Sequence, residues 1–232
     1  MSAIQTRAGA ALAALVAAVL FASRVAMGSA APAGIALPAP ATEGITALSG
    51  DQTAVFAGGC FWGVQAVFQH VKGVKSVTSG YAGGASSSPS YEAVSGGNTG
   101  HAEAVRVVFD PSQVSYGKLL QVFFSVAHDP TELNFQGPDH GTQYRSAVFT
   151  TSNEQKQAVE KYVAQLTAAK AFHGPIVTEI APLRAFHLAE KYHQNYYNIH
   201  PSQPYIVIND RPKVEALKKT MPDLWRDEIA SW

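Results

Sequence analysis

Between residues 53 and 109 the spacing of apolar side chains switches between two periods, and the switches mark the first elements. Residues 53–57 (TAVFA) form a short apolar run that stops at Gly58-Gly59, which predicts a buried strand closed by a turn. Phe61, Val64, Val67, Phe68 and Val71 then recur at separations of three and four, which places them on one face of a helix spanning residues 60–71. Residues 74–81 (VKSVTSGY) and 104–109 (AVRVVF) read as two further strands, the second closed by Asp110-Pro111.

The same reasoning predicts helices over residues 116–128 and 153–171, a strand over 147–150 and another over 176–180. It further predicts an aromatic-rich helix over 187–197, a last strand over 205–208 and a closing helix over 212–220. Strands and helices mix without a repeating unit, which favours an α+β two-layer sandwich over a doubly wound sheet. Two long segments, 82–103 and 129–147, are rich in Gly, Ser, His and Asp, and loops of that kind are where sites are built.

The start of the chain departs from this pattern. Arg7 precedes an apolar run over residues 8–22, and Gly28, Ser29, Ala30 and Ala31 follow Arg24. This order predicts an export signal over residues 1–30, with the bacterial periplasm as destination. The run is shorter than the roughly 20 residues that span a bilayer, so an uncleaved anchor is the weaker reading. Residues 31–50, rich in Ala and Pro, read as a flexible tether, and residues 51–232 as one catalytic domain. Seventeen basic residues balance 17 acidic ones without clustering, so nothing in the charge points to nucleic acid, and a small or neutral partner is expected.

Export makes the cysteine count informative. Cys60 is the single cysteine of the sequence and closes no internal disulfide, so it reads as a reactive thiol. It lies where a strand turns through two glycines into the first turn of a helix. There the unpaired N–H groups and the helix dipole favour thiolate, which predicts an activated nucleophile. Phe61 and Trp62 follow; adjacent helical residues point about 100° apart, so one of them is expected beside the thiol in an apolar pocket. Three further clusters are candidates to complete the site. They are Tyr91-Glu92 with His101 and Glu103, the stretch from Asp139 to Arg145, and Glu190, His193 and Tyr197 at helical spacing. No HExxH spacing occurs and the eight histidines are dispersed, so no metal is expected. Spacing alone does not separate a thiol oxidoreductase from a Cys-His-Asp hydrolase, or from a module that binds a methionine-like side chain.

The ordered blocks narrow this choice. GGCFWG at 58–63, SGYAGG at 79–84, PSYEAV at 89–94, TGHAEAV at 99–105, DHGTQYRS at 139–146 and AEKYHQNY at 189–196 resemble, in order, the signatures of the A-type peptide-methionine (S)-S-oxide reductases. The resemblance implies a two-layer α+β fold with a ferredoxin-like core, and reduction of methionine S-sulfoxide, free or in proteins. By the same resemblance Cys60 would attack the sulfoxide sulfur, and Phe61 and Trp62 would hold the methyl group. Glu103 would protonate the oxygen, Tyr91 and Tyr144 would donate hydrogen bonds to it, and Asp139 would orient the network. No bound cofactor is implied, and a monomer is expected.

Two features depart from much of the family. No second cysteine is present to resolve a Cys60 sulfenic acid, so an external thiol is implied: glutathione, a glutaredoxin or a thioredoxin-like protein, with dithiothreitol serving in vitro. Gln65 stands where many relatives have Glu, a change expected to alter local charge near the helix start.

Overall fold

Residues 34–41, 50–85 and 89–232 are described by a computed structural model of the chain. The export signal and most of the tether, together with residues 86–88, lie outside the described residues. Among the described residues no helix is long and apolar enough to cross a membrane.

The chain runs β1 (Gln52–Gly58), α1 (Phe61–Gln69), β2 (Val74–Ala82), α2 (Tyr91–Ser95), β3 (Ala102–Phe109) and α3 (Tyr116–Val122), which continues as a π-type turn over Phe123–Ala127. After it come the small hairpin β4 (Phe135–Gln136) and β5 (Asp139–His140), then β6 (Ser146–Thr150), α4 (Asn153–Ala168), β7 (Glu179–Pro182), β8 (Phe186–Leu188), α5 (Tyr196–Ile199) and α6 (Arg211–Thr220). The main sheet has the order β7-β6-β1-β3-β2-β8. Its centre, β6-β1-β3-β2, is antiparallel throughout. Two βαβ halves, β1-α1-β2 and β3-α3-β6, build that centre, which is the ferredoxin-like arrangement.

Side-chain alternation explains the two faces of the sheet. Phe56 points toward the helices, where its ring lies 5.0 Å from Phe68 of α1 and 4.9 Å from Phe123. Its neighbours Val55 and Ala57 point the other way, into a second apolar cluster with Ala82, Ala102, Ala104, Ala147 and Phe149. Ser115 and Ser152 start α3 and α4 by accepting the N–H of the residue three ahead, as N-caps do.

Four expectations are corrected. Residues 187–197 do not form a helix: Glu190 and Gln194 are extended, Asn195 is left-handed, and only short turns, Lys191–His193 and Tyr196–Ile199, are helical. Pairing with β2 outweighs the local periodicity, because Ala189 N–H and the Gln194 side-chain amide both bind Ser79 O. Residues 205–208 are not a strand, since Ile206–Asp210 forms a π-type turn leading into α6. In that run only Ile206 is buried, while Val207 and Ile208 face solvent, so the β-branched residues had no sheet to join. The strand expected from residue 176 begins at Glu179, where its parallel pairing with β6 starts.

The fourth correction concerns the tether. Residues 34–41 lie across α3 and α4 as a strap: Ile35 N–H binds Ser125 O, and Leu37 is buried in the main core. Gln121 and Gln165 donate side-chain N–H groups to Leu37 O and Ala39 O, and Tyr162 donates its hydroxyl to Pro38 O at 2.9 Å. At the other end, the last residues fold back over the C-terminal end of α1. Arg226 N–H binds His70 O, Ala230 N–H binds Gln69 O and Val77 N–H binds Ser231 O.

Because Leu37 is the strap's buried anchor, Leu37→Ala is expected to cost about 2–3 kcal/mol of stability, measured as a lower urea midpoint with unchanged slope.

Candidate active site

Cys60 caps α1 at the elbow expected from the two glycines. Gly59 takes φ +86°, a conformation side chains resist, and a Cβ there would lie 2.6 Å from the Gln136 side chain. Gln136 is fixed in turn by two hydrogen bonds to Asp129: its Oε1 accepts the Asp129 N–H and its Nε2 donates to the Asp129 carbonyl. The thiol therefore sits on a rigid turn. Cys60 is 8% exposed and opens onto a cavity of about 270 Å³. Phe61, Trp62, Tyr91, Glu103, Asp139 and Tyr144 line that cavity, joined by Gln203 and Tyr205.

The electrostatics correct the expected activation of the thiol. Burial holds Cys60 well above the ordinary thiol range, and the carboxyls of Glu103, Asp210 and Asp139 push in the same direction. The Trp62 N–H at the helix start opposes them but does not prevail. At neutral pH the thiol stays protonated; a helix N-terminus does not lower a thiol that is buried and faced by carboxyls.

Glu103 comes from β3, 3% exposed, and its Oε2 accepts the Phe61 N–H at 3.0 Å. Burial raises its carboxyl to about 8 against the lowering effect of that N–H, with Asp139 and Asp210 adding to the rise. Glu103 is thus an acid that still holds its proton at neutral pH. Asp139 is also raised by burial, and Tyr205 donates its hydroxyl to Asp139 Oδ2. Burial keeps the Tyr91 and Tyr144 hydroxyls above the usual phenol range, so both remain donors.

An aromatic wall closes the cavity. The Trp62 indole stacks on Tyr196 with centroids 3.8 Å apart and meets Tyr205 edge-on at 6.0 Å. Its Nε1–H points to His193 Nδ1 at 3.2 Å. His193 also packs 5.1 Å from Phe61 and 4.4 Å from Tyr91, and burial lowers its affinity for a proton. Both Phe61 and Trp62 line the cavity, where helical geometry alone places one of them beside the thiol and the resemblance implies both. Glu190 fixes the outer wall by accepting the Tyr81 hydroxyl at 2.7 Å and the Tyr91 N–H at 2.8 Å. The third cluster therefore acts from an extended segment: Glu190 and His193 support the site, while Tyr197 packs against the core instead.

The seven residues that the resemblance assigns to the site, Cys60, Phe61, Trp62, Tyr91, Glu103, Asp139 and Tyr144, line the same cavity, while Glu92, His101 and Arg145 of the candidate clusters do not. Gln203, Tyr205 and the stacking partner Tyr196 were missed. Tyr205 lies 66 positions from Asp139 in a run that reads as a strand, so no local signal marked it. Gln65 is 1% exposed and neutral; its Nε2 donates to Val77 O and its Oε1 accepts the Asn195 N–H, tying α1 to the segment behind the aromatic wall. Among the described residues no group of three His, Cys, Asp or Glu side chains is placed to hold a metal ion.

A family model described as Peptide methionine sulfoxide reductase matches residues 52–224. A Mesorhizobium japonicum protein named Peptide methionine sulfoxide reductase MsrA 2 is 56% identical over 182 residues, covering 78% of this chain and 93% of that protein. A Deinococcus radiodurans protein, Peptide methionine sulfoxide reductase MsrA, is 49% identical over 185 residues, covering 80% and 89%. Among solved structures, methionine sulfoxide reductase A of Corynebacterium diphtheriae matches with a TM-score of 0.59 and 38% identity, over 73% of this chain and 85% of that one. The reduced form of Saccharomyces cerevisiae Mxr1 matches with a TM-score of 0.60 and 34% identity, over 66% and 87%.

Because the thiol is raised, its alkylation by iodoacetamide is expected to be slow at pH 7 and to climb only at a pH well above that at which a free cysteine reacts. Glu103→Gln removes one of the charges responsible and is expected to move that rise to lower pH, followed by mass spectrometry of the modified protein.

Proposed function

The chain belongs to the peptide methionine sulfoxide reductase family and reduces methionine sulfoxide to methionine, and on that premise we propose how its own residues divide the reaction. The observation that carries the assignment is one buried, protonated carboxyl, Glu103, bonded to the helical turn that follows Cys60, with both groups lining one cavity walled by Phe61 and Trp62.

The sulfoxide's methyl end occupies the apolar wall of Phe61 and Trp62. Its oxygen faces Glu103 and the Tyr91 and Tyr144 hydroxyls, which stabilise charge there as an oxyanion hole does. Asp139 orients this group and is held in turn by Tyr205. The Cys60 sulfur bonds to the sulfoxide sulfur while the oxygen takes the Glu103 proton and the thiol proton returns to Glu103. The oxygen then passes to the Cys60 sulfur, releasing the thioether and leaving a sulfenic acid. Methionine gains two electrons and Cys60 loses two. A raised thiol is compatible with this scheme, because the same site supplies the proton that the leaving oxygen needs.

Cys60 is the only cysteine of the sequence, so recycling falls to an external thiol. One thiol condenses with the sulfenic acid to release water, and a second reduces the mixed disulfide. A thioredoxin-like protein, a glutaredoxin or glutathione fits that role. The basic, apolar and small-residue order of residues 1–31 supports export to the periplasm, and the mass of the mature protein tests where cleavage falls.

With dithiothreitol as reductant, the wild-type enzyme is expected to consume the S epimer of a methionine sulfoxide and spare the R epimer, resolved by chiral chromatography. Cys60→Ser should abolish the activity; equal consumption by both proteins would remove Cys60 from the chemistry. Without reductant, one equivalent of product should appear together with one dimedone adduct. Glu103→Gln is expected to slow sulfoxide reduction about 10²–10⁴-fold. In the wild type the acid form of Glu103 is present below about pH 8, so the single-turnover rate should fall as pH rises through that value, and the variant should lose this limb.

A further inference from the structure

Asp210 is a buried carboxylate that the reaction scheme does not use. It is 0% exposed, at the end of the π-type turn Ile206–Asp210, and its Oδ1 lies 3.4 Å from the Lys213 ammonium one turn along. Its Oδ2 has no hydrogen-bond partner. A buried carboxylate oxygen left unsatisfied is costly, so its retention calls for an account. The carboxyl is pressed against the first turn of α1: a Cβ on Gly63 would lie 2.1 Å from Asp210 Oδ1 and 2.6 Å from its Cγ. Only glycine three residues after Cys60 lets a charge approach the thiol's own helical turn so closely.

The groups around Asp210 define its field. Among the described residues Lys213 is the single cation paired with it, while Asp139, Glu103, Cys60, Tyr205 and Tyr197 each interact with it electrostatically. Asp210 bears on Cys60 more strongly than Asp139 does, although Asp139 lines the cavity and Asp210 does not. The Asp210 carboxylate is the end of the pair that packs against the turn of α1 following the thiol.

We propose that Asp210 is a positioning residue for the sulfoxide reduction assigned above: fixed under Gly63 by Lys213, its carboxylate opposes negative charge on the Cys60 sulfur and keeps the resting thiol unreactive until a substrate shares its turn. The consequence is selectivity. An exposed thiolate meets any peroxide or electrophile, whereas a thiol held protonated reacts only where a sulfoxide and the Glu103 proton are brought together.

The test measures Cys60 alkylation by iodoacetamide against pH in the full chain, a reading that needs no sulfoxide reductase activity and so stands or falls apart from the functional assignment. Asp210→Asn keeps the shape and removes the charge; it is expected to move the midpoint down by on the order of one pH unit and to speed inactivation by hydrogen peroxide at pH 7 severalfold. Lys213→Met removes the counter-charge and is expected to move the midpoint up. Opposite shifts in the two variants support the proposal. A folded Asp210→Asn protein with the wild-type midpoint overturns it, because a purely structural role would change the melting temperature and leave the pH profile in place. Should Asp210→Asn fail to fold, the Lys213→Met midpoint decides, and an unchanged value overturns the proposal.

Discussion

The hydrogen bond from Phe61 N–H to Glu103 Oε2 joins the two halves of the reaction centre. Phe61 opens the helix that carries the thiol, and Glu103 belongs to a strand at the middle of the sheet, so the bond sets the distance between nucleophile and acid through the most rigid parts of the fold. It also places a carboxyl at a helix N-terminus, where a charge is ordinarily stabilised. Burial prevails over that stabilisation and leaves the proton on Glu103. An exposed site with the same residues would hold a carboxylate and a readily ionised thiol; withdrawal from water turns both into proton carriers.

Everything around this bond limits movement. Glu190 and Gln194 cross-link the extended segment before α5 to β2 and to the start of α2, and that segment carries His193 and Tyr196 into the aromatic wall. Gln65 joins the same segment to α1 with an uncharged amide. A carboxylate there would add another negative group to a turn that already faces Glu103, Asp139 and Asp210.

Much of this was legible in the sequence because short-range physics produced it. β1, α1, β3 and α4 follow from apolar periodicity and turn residues, and the elbow at Gly58-Gly59 follows from the switch between periods. The residues of the cavity were legible as blocks because each lies in a compact run of Gly, Tyr, His and acidic residues. The failures share a cause. Residues 189–194 bond to β2 and the Tyr205 hydroxyl bonds to Asp139, partners far away in sequence, and local spacing carries no record of such partners. Tyr205 and Asp210 were hidden for that reason, and the protonation of Cys60 was misread because its burial, and the carboxyls of Glu103, Asp210 and Asp139 brought from three separate segments, come from the fold and not from local sequence.

The closing residues have a role of their own. β8 pairs with residues 80–82 of β2, and the earlier part of β2 and the turn before it are met instead by the closing residues, Ser231 against Ser76 and Trp225 against Val71. A bare strand edge is a template on which another chain can add a strand. By occupying it, residues 225–231 leave that edge no free backbone groups for a strand of another chain, and a cut near Trp225 would expose them again.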